Sequence, residues 1–117
     1  MRVQRRDPPR VFSVGEDAST IIRDGGDIRL DENEQITFVT EGGHRYDVVR
    51  KAWGFYATPS INGRLKDEGF KTALVRNRQG RVYLLVVEIG KQDLFERYCD
   101  KEGQTVMEWL DVIPSSS

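Results

Sequence analysis

Lys71-Thr72-Ala73-Leu74-Val75-Arg76-Asn77 and Arg81-Val82-Tyr83-Leu84-Leu85-Val86-Val87-Glu88-Ile89 are two apolar, β-rich runs separated by Arg78-Gln79-Gly80. β-Branched and aromatic side chains fit a pleated surface, and Asn and Gly at the connection accept the backbone of a tight turn. The pair therefore predicts a β-hairpin with a bulge. The second run is continuously apolar from Val82 to Val87 rather than alternating, which predicts a central strand covered on both faces.

Working outward, residues 91–102 predict the main helix. Leu94, Phe95 and Tyr98 form its apolar stripe, Cys99 lies beside them, and Gly103 ends it. Residues 104–113 return as a last strand with Val106, Met107, Trp109, Leu110, Val112 and Ile113. On the other side, a short helix is expected over about 59–68, with Thr58 as N-cap and Pro59 as the first helical residue. Ile61 and Leu65 would stack on its buried side, and Gly69 would cap its end.

Residues 45–58 read as one strand bent by a bulge at Gly54. Residues 35–40 alternate as a strand requires, and Glu41-Gly42-Gly43-His44 makes the turn between the two. Residues 27–30 and 10–14 predict short strands, and residues 16–23 one or two helical turns. Arg5-Arg6-Asp7-Pro8-Pro9-Arg10 denies a helix, so residues 1–9 read as a flexible N-terminal tail and 114–117 as a flexible C-terminal one. The expected fold is α+β over residues 10–113. It is a single, mostly antiparallel sheet of about five or six strands, with the two helices packed on it.

Composition narrows the function classes. The 117 residues are 38% hydrophobic and 32% charged, with a formal net charge of −1. No apolar run reaches the roughly 18 residues of a membrane span, so no membrane partner is expected. A lone cysteine, Cys99, forms neither an internal disulfide nor a cysteine-rich metal site. No signal-peptide pattern follows the arginine-rich start, and the single thiol suits a reducing compartment, so a cytoplasmic location is expected. The balanced charge hides a segregation: residues 45–81 hold nine basic and three acidic side chains, whereas both flanks are acidic.

The most unusual stretch is Trp53-Gly54-Phe55-Tyr56-Ala57-Thr58-Pro59-Ser60-Ile61-Asn62-Gly63-Arg64. A helix starting at Thr58 would aim free backbone N–H groups outward, a ready anion site. Arg50, Lys51 and Arg64 would add charge, Trp53 and Tyr56 a stacking wall, and Thr58, Ser60 and Asn62 hydrogen bonds. The bland alternative is a strand-to-helix corner with Trp53 and Phe55 in the core.

Other features point less far. The basic hairpin 71–81 lacks the interleaved aromatics of a single-strand binder. His44, the only imidazole, follows two glycines with no triad spacing around it. Cys99 sits among Glu96, Asp100 and Glu102, which oppose thiolate formation. Asp31-Glu32-Asn33-Glu34 lacks the twelve-residue ligand series of a calcium loop. Gly25-Gly26 and Gly42-Gly43 match no phosphate-binding fingerprint.

No catalytic set, metal site or cofactor is legible. The leading expectation is a non-enzymatic binding or accessory domain, monomeric or homodimeric. It would take an anionic, phosphorylated or sugar-like small molecule, or an acidic protein surface, through the 53–64 corner. The alternatives are a small enzyme on such a substrate, with His44 as a distant base, and a nucleic-acid binder using 45–81. Net charge disfavours the last.

Overall fold

A computed structural model of the chain describes residues 1–112, so the expected tail at 114–117 and Ile113 lie outside the described residues. The order is β1 (Arg2–Val14), β2 (Thr20–Arg29), β3 (Gln35–Val39), β4 (Arg45–Lys51), β5 (Gly54–Ala57), α1 (Arg64–Asp67), β6 (Phe70–Arg76), β7 (Val82–Glu88), α2 (Gln92–Glu102), β8 (Thr105–Trp109) and a 3-10 turn, Leu110–Val112. The α+β class and the antiparallel pairing agree with expectation. The single sheet does not: the strands form three small sheets, β1-β2, β3-β4-β5 and β7-β6-β8. The division follows chain locality, because each sheet is built from sequential hairpins and β8 alone returns across sequence to pair with β6.

Four local expectations are corrected. Residues 2–9, read as a tail, belong to β1, which pairs with β2 from Arg2↔Arg29 to Val14↔Thr20. The pairing lapses only between Arg5 and Arg10, where Pro8 and Pro9 have no N–H to give. Residues 16–23, read as helical turns, contribute their second half to β2, since Thr20, Ile21 and Ile22 are β-branched. Residues 45–58 are two strands joined at Ala52-Trp53, not one bent strand. The short helix is confined to Arg64–Asp67, with Gly63 rather than Thr58 at its N-cap.

The main hairpin lies where expected, in unbroken register from Phe70↔Glu88 to Arg76↔Val82. Its strands exchange roles, however. β6 is central, with Thr72, Ala73 and Val75 at 1%, 0% and 0% exposure, whereas β7 is an edge. After β7 the chain crosses through α2 and lays β8 on the far side of β6, which leaves β7 without an outer neighbour among the described residues. Phe95 and Cys99 of α2 close the core over Ala73, Val75 and Val87, with Leu85, Val106 and Trp109 partly buried around them. Gly103 ends α2 in the left-handed conformation, φ 64°, as its sequence position implied.

The sheets are joined by polar clasps. The Glu102 carboxylate, buried at the end of α2, accepts a hydrogen bond from the Glu16 backbone N–H at 2.6 Å, and Arg78 pairs with Glu16. The Met1 ammonium lies 2.9 Å from Glu34. The accessible surface is 8525 Å², against about 6,500 Å² for a folded monomer of this mass. The radius of gyration is 16.0 Å, against about 13 Å for a compact chain of this length. The excess comes from thin layers: two- and three-stranded sheets have too little apolar cover to bury both faces.

Candidate binding site

The eight residues singled out in sequence do not converge on one pocket. Strand alternation separates them. Arg50 faces Phe55 across β4-β5, while Tyr56 faces Val49 and Lys51 faces Gly54 on the opposite side. Trp53 occupies the hairpin tip at 71% exposure, with Phe55 at 69% and Tyr56 at 50%. The reading of Trp53 and Phe55 as core residues is therefore corrected; the chain reverses at Ala52-Trp53 before either can turn inward.

Thr58, Ser60 and Arg64 do meet. Ser60 Oγ accepts from the Arg64 backbone N–H at 2.9 Å, and Thr58 Oγ1 accepts from Arg64 Nη2 at 3.2 Å. The guanidinium also lies 3.5 Å from the carboxylates of Asp47 and Glu68. Asp47 in turn accepts from the Thr37 hydroxyl at 2.6 Å. Two carboxylates thus surround the cation expected to receive an anion, and one helical turn has no appreciable dipole to add. Lys51 is spent similarly, donating to Asn33 Oδ1 at 2.6 Å. Asn62 is half-buried beside this cluster.

The other face of the same sheet carries a groove of about 390 Å³ between β2 and β3-β4-β5. Its walls are Ile28, Leu30, Ile36, Phe38, Val48 and Phe55. Phe38 and Ile28 are 53% and 44% exposed there. Register puts Arg50 on this face, opposite Phe55, so a basic residue borders the apolar wall. Sequence reading missed the groove because Ile28 and Phe55 approach only through the packing of two separate sheets.

A second cleft, of about 430 Å³, lies between the β1-β2 turn and the end of α2. Its acids, Glu16 and Glu102, are the members of the clasp described above.

His44 gains a partner that the sequence did not suggest. Its Nδ1 lies 2.8 Å from Glu88 Oε2, and its ring meets Phe70 edge-on at 5.7 Å. The hydrogen bond from His44, reinforced by the charge of Lys91, holds the Glu88 carboxyl below the usual range. The other ring nitrogen lies against Gly69, within 2.7 Å of where a Cβ would stand. The imidazole is thus built into the seam between sheets. Burial, with Asp100 and Glu96 nearby, pushes the Cys99 thiol up. Among the described residues no group of three His, Cys, Asp or Glu side chains is placed to hold a metal ion, and no helix is long and apolar enough to cross a membrane.

Compared with protein-family models, curated proteins and solved structures, the chain matches none.

Proposed function

We propose that this chain is a non-catalytic binding domain. Its partner is a protein segment that places apolar side chains in the β2-β5 groove and carboxylates beside Arg50. The observation that carries this reading is the apolar groove itself, whose walls leave Phe55 69% and Phe38 53% exposed, with Trp53, 71% exposed, at the tip of the hairpin that carries Phe55. Tryptophan, tyrosine and arginine are the residues that most often dominate binding energy at protein interfaces. Contiguous exposed apolar surface of this kind marks an interaction site more often than a solvated one. The basic excess of residues 45–81 favours an acidic partner and speeds its encounter. Of the two ligands expected from the sequence, the protein surface is favoured over the small anion, because Arg64 already faces Asp47 and Glu68.

The test is selection from a random peptide library displayed on phage, followed by amide-shift mapping of the selected peptides. Acidic, apolar peptides that move the resonances of Arg50, Phe55 and Phe38, and that lose binding about tenfold or more in Trp53→Ser/Phe55→Ser, support the reading. Selected peptides that bind the double variant equally well refute it.

A further inference from the structure

Among the described residues no strand covers the outer edge of β7, and the chemistry of that edge specifies what closes it. Within the β6-β7 hairpin, Asn77 N–H donates to Arg81 O and Ile89 N–H donates to Gly69 O, each at 2.9 Å. Residues 81 and 89 therefore direct their backbone groups toward β6, and in an antiparallel ladder the odd-numbered residues between them do the same. The even-numbered residues Val82, Leu84, Val86 and Glu88 point their N–H and C=O groups away from β6; the Glu88 carbonyl is taken by the Lys91 N–H at 3.0 Å, which leaves Val82, Leu84 and Val86 as the open stretch.

This edge lacks the devices that keep strands apart. Val82 to Val87 contains no charge and no proline, the strand's one charge, Glu88, stands at its very end with its carboxylate held by His44, and the register with β6 runs without a bulge. The opposite edge, β8, has both a register shift and a charged residue, Glu108. On β7, Val82, Tyr83 and Leu84 are 51%, 43% and 52% exposed.

We propose that β7 pairs antiparallel with β7 of a second copy, about a two-fold axis at Leu84. In that register Leu84 faces the partner's Leu84 and Val82 faces the partner's Val86. Val82, Leu84 and Val86 then find hydrogen-bond partners, and every facing side-chain pair among them is aliphatic. On the other face Tyr83 meets the partner's Leu85, and no like charges oppose each other. The strand is thus complementary to itself, as an isologous interface requires. The product is a six-stranded sheet whose two halves are β7-β6-β8. The accessible surface, well above that of a typical monomer of this mass, agrees with a chain that completes its fold by association. This inference does not depend on the groove.

The test is light scattering coupled to size exclusion, at about 10 and about 100 µM because association is concentration-dependent. The expected mass is twice 13.5 kDa. Leu84→Lys sets two ammonium groups face to face and returns the mass to one chain, with an unchanged far-ultraviolet circular dichroism spectrum. Trp53→Ser leaves the dimer intact. Independently, Leu84→Cys forms a covalent dimer on mild oxidation. Facing Cα atoms in a hydrogen-bonded antiparallel pair are about 5.5 Å apart, within disulfide reach. Cys99 is buried, so the cross-link reports position 84. A mass of one chain at both concentrations overturns the proposal. So does a dimer that survives Leu84→Lys, or a Leu84→Cys protein that cross-links no faster than Val39→Cys on β3.

Discussion

His44 Nδ1 lies 2.8 Å from Glu88 Oε2, and this contact joins the turn between β3 and β4 to the last residue of β7. Phe70, the first residue of β6, packs edge-on against both His44 and Tyr46, at 5.7 and 6.2 Å. The seam between the two larger sheets is therefore part aromatic and part polar, and its polar half depends on pH.

The Glu88 carboxyl is held below its usual range by His44, so its ionised form is favoured in the folded state. Such a group contributes stability that is present above the unfolded-state pKa and is lost as pH falls through the folded value. Melting temperature should fall as pH drops below the ordinary carboxylate range, and Glu88→Gln should flatten that part of the curve. Thermal melts of both proteins from neutral pH to about 3 check this; parallel curves would remove Glu88 from the account.

Gly69 is required where His44 closes in. Its φ is +93°, and an added Cβ would stand 2.5 Å from His44 Cδ2. Gly69→Ala should destabilise by about 1–3 kcal/mol, the range for a non-glycine residue held in a sparsely populated conformation. Urea melts measure this. Gly80, also at positive φ but with open space around it, should show strain without the clash, so Gly80→Ala should be the milder of the two.

What could be read beforehand was what the chain does locally. The hairpin over 71–89, the helix ending at Gly103 and the turn at 41–44 depend on neighbours in sequence, and all three are present. The exchange of roles between β6 and β7 could not be read. Val82 to Val87 is the more apolar run, but β8 returns to Ala73 and Val75, and only that distant pairing makes β6 central. Ala52-Trp53 carries no turn signature, so a strand running through it could be read with Trp53 and Phe55 in the core. At the candidate site, the clustering of Thr58, Ser60 and Arg64 was visible. The carboxylates of Asp47 and Glu68 that neutralise Arg64 were not, because Asp47 reaches it only through the β4-β5 fold-back.

Phe95 and Phe55 should separate sharply. Phe95 is 9% exposed and packs edge-on to Trp109 at 5.6 Å; Phe55 is 69% exposed. Phe95→Ala removes a buried ring and should cost about 3–5 kcal/mol. Phe55→Ala should change stability by no more than about 0.5 kcal/mol while weakening peptide binding at the groove. Equal losses from the two would mean that Phe55 is a core residue and that the groove is closed in solution.

Arg64 tests the choice between anion and protein. Its side chain is about half exposed and its two carboxylate contacts are both at 3.5 Å, so the ion pairs carry little stability. Arg64→Ala should therefore lower stability by about 1 kcal/mol or less. Pyrophosphate added to the wild-type protein should leave the amide resonances of Thr58, Ser60 and Arg64 in place, because the polyanion would have to displace Asp47 and Glu68 from the Arg64 guanidinium. Focused shifts at these three amides that persist as salt is raised would reverse the choice. They would show that the carboxylates swing away and that the corner takes a small anion, as the residue types alone suggested. The outcome for the groove is separate, since Arg50 and Phe55 lie on the other face of the sheet from Asp47.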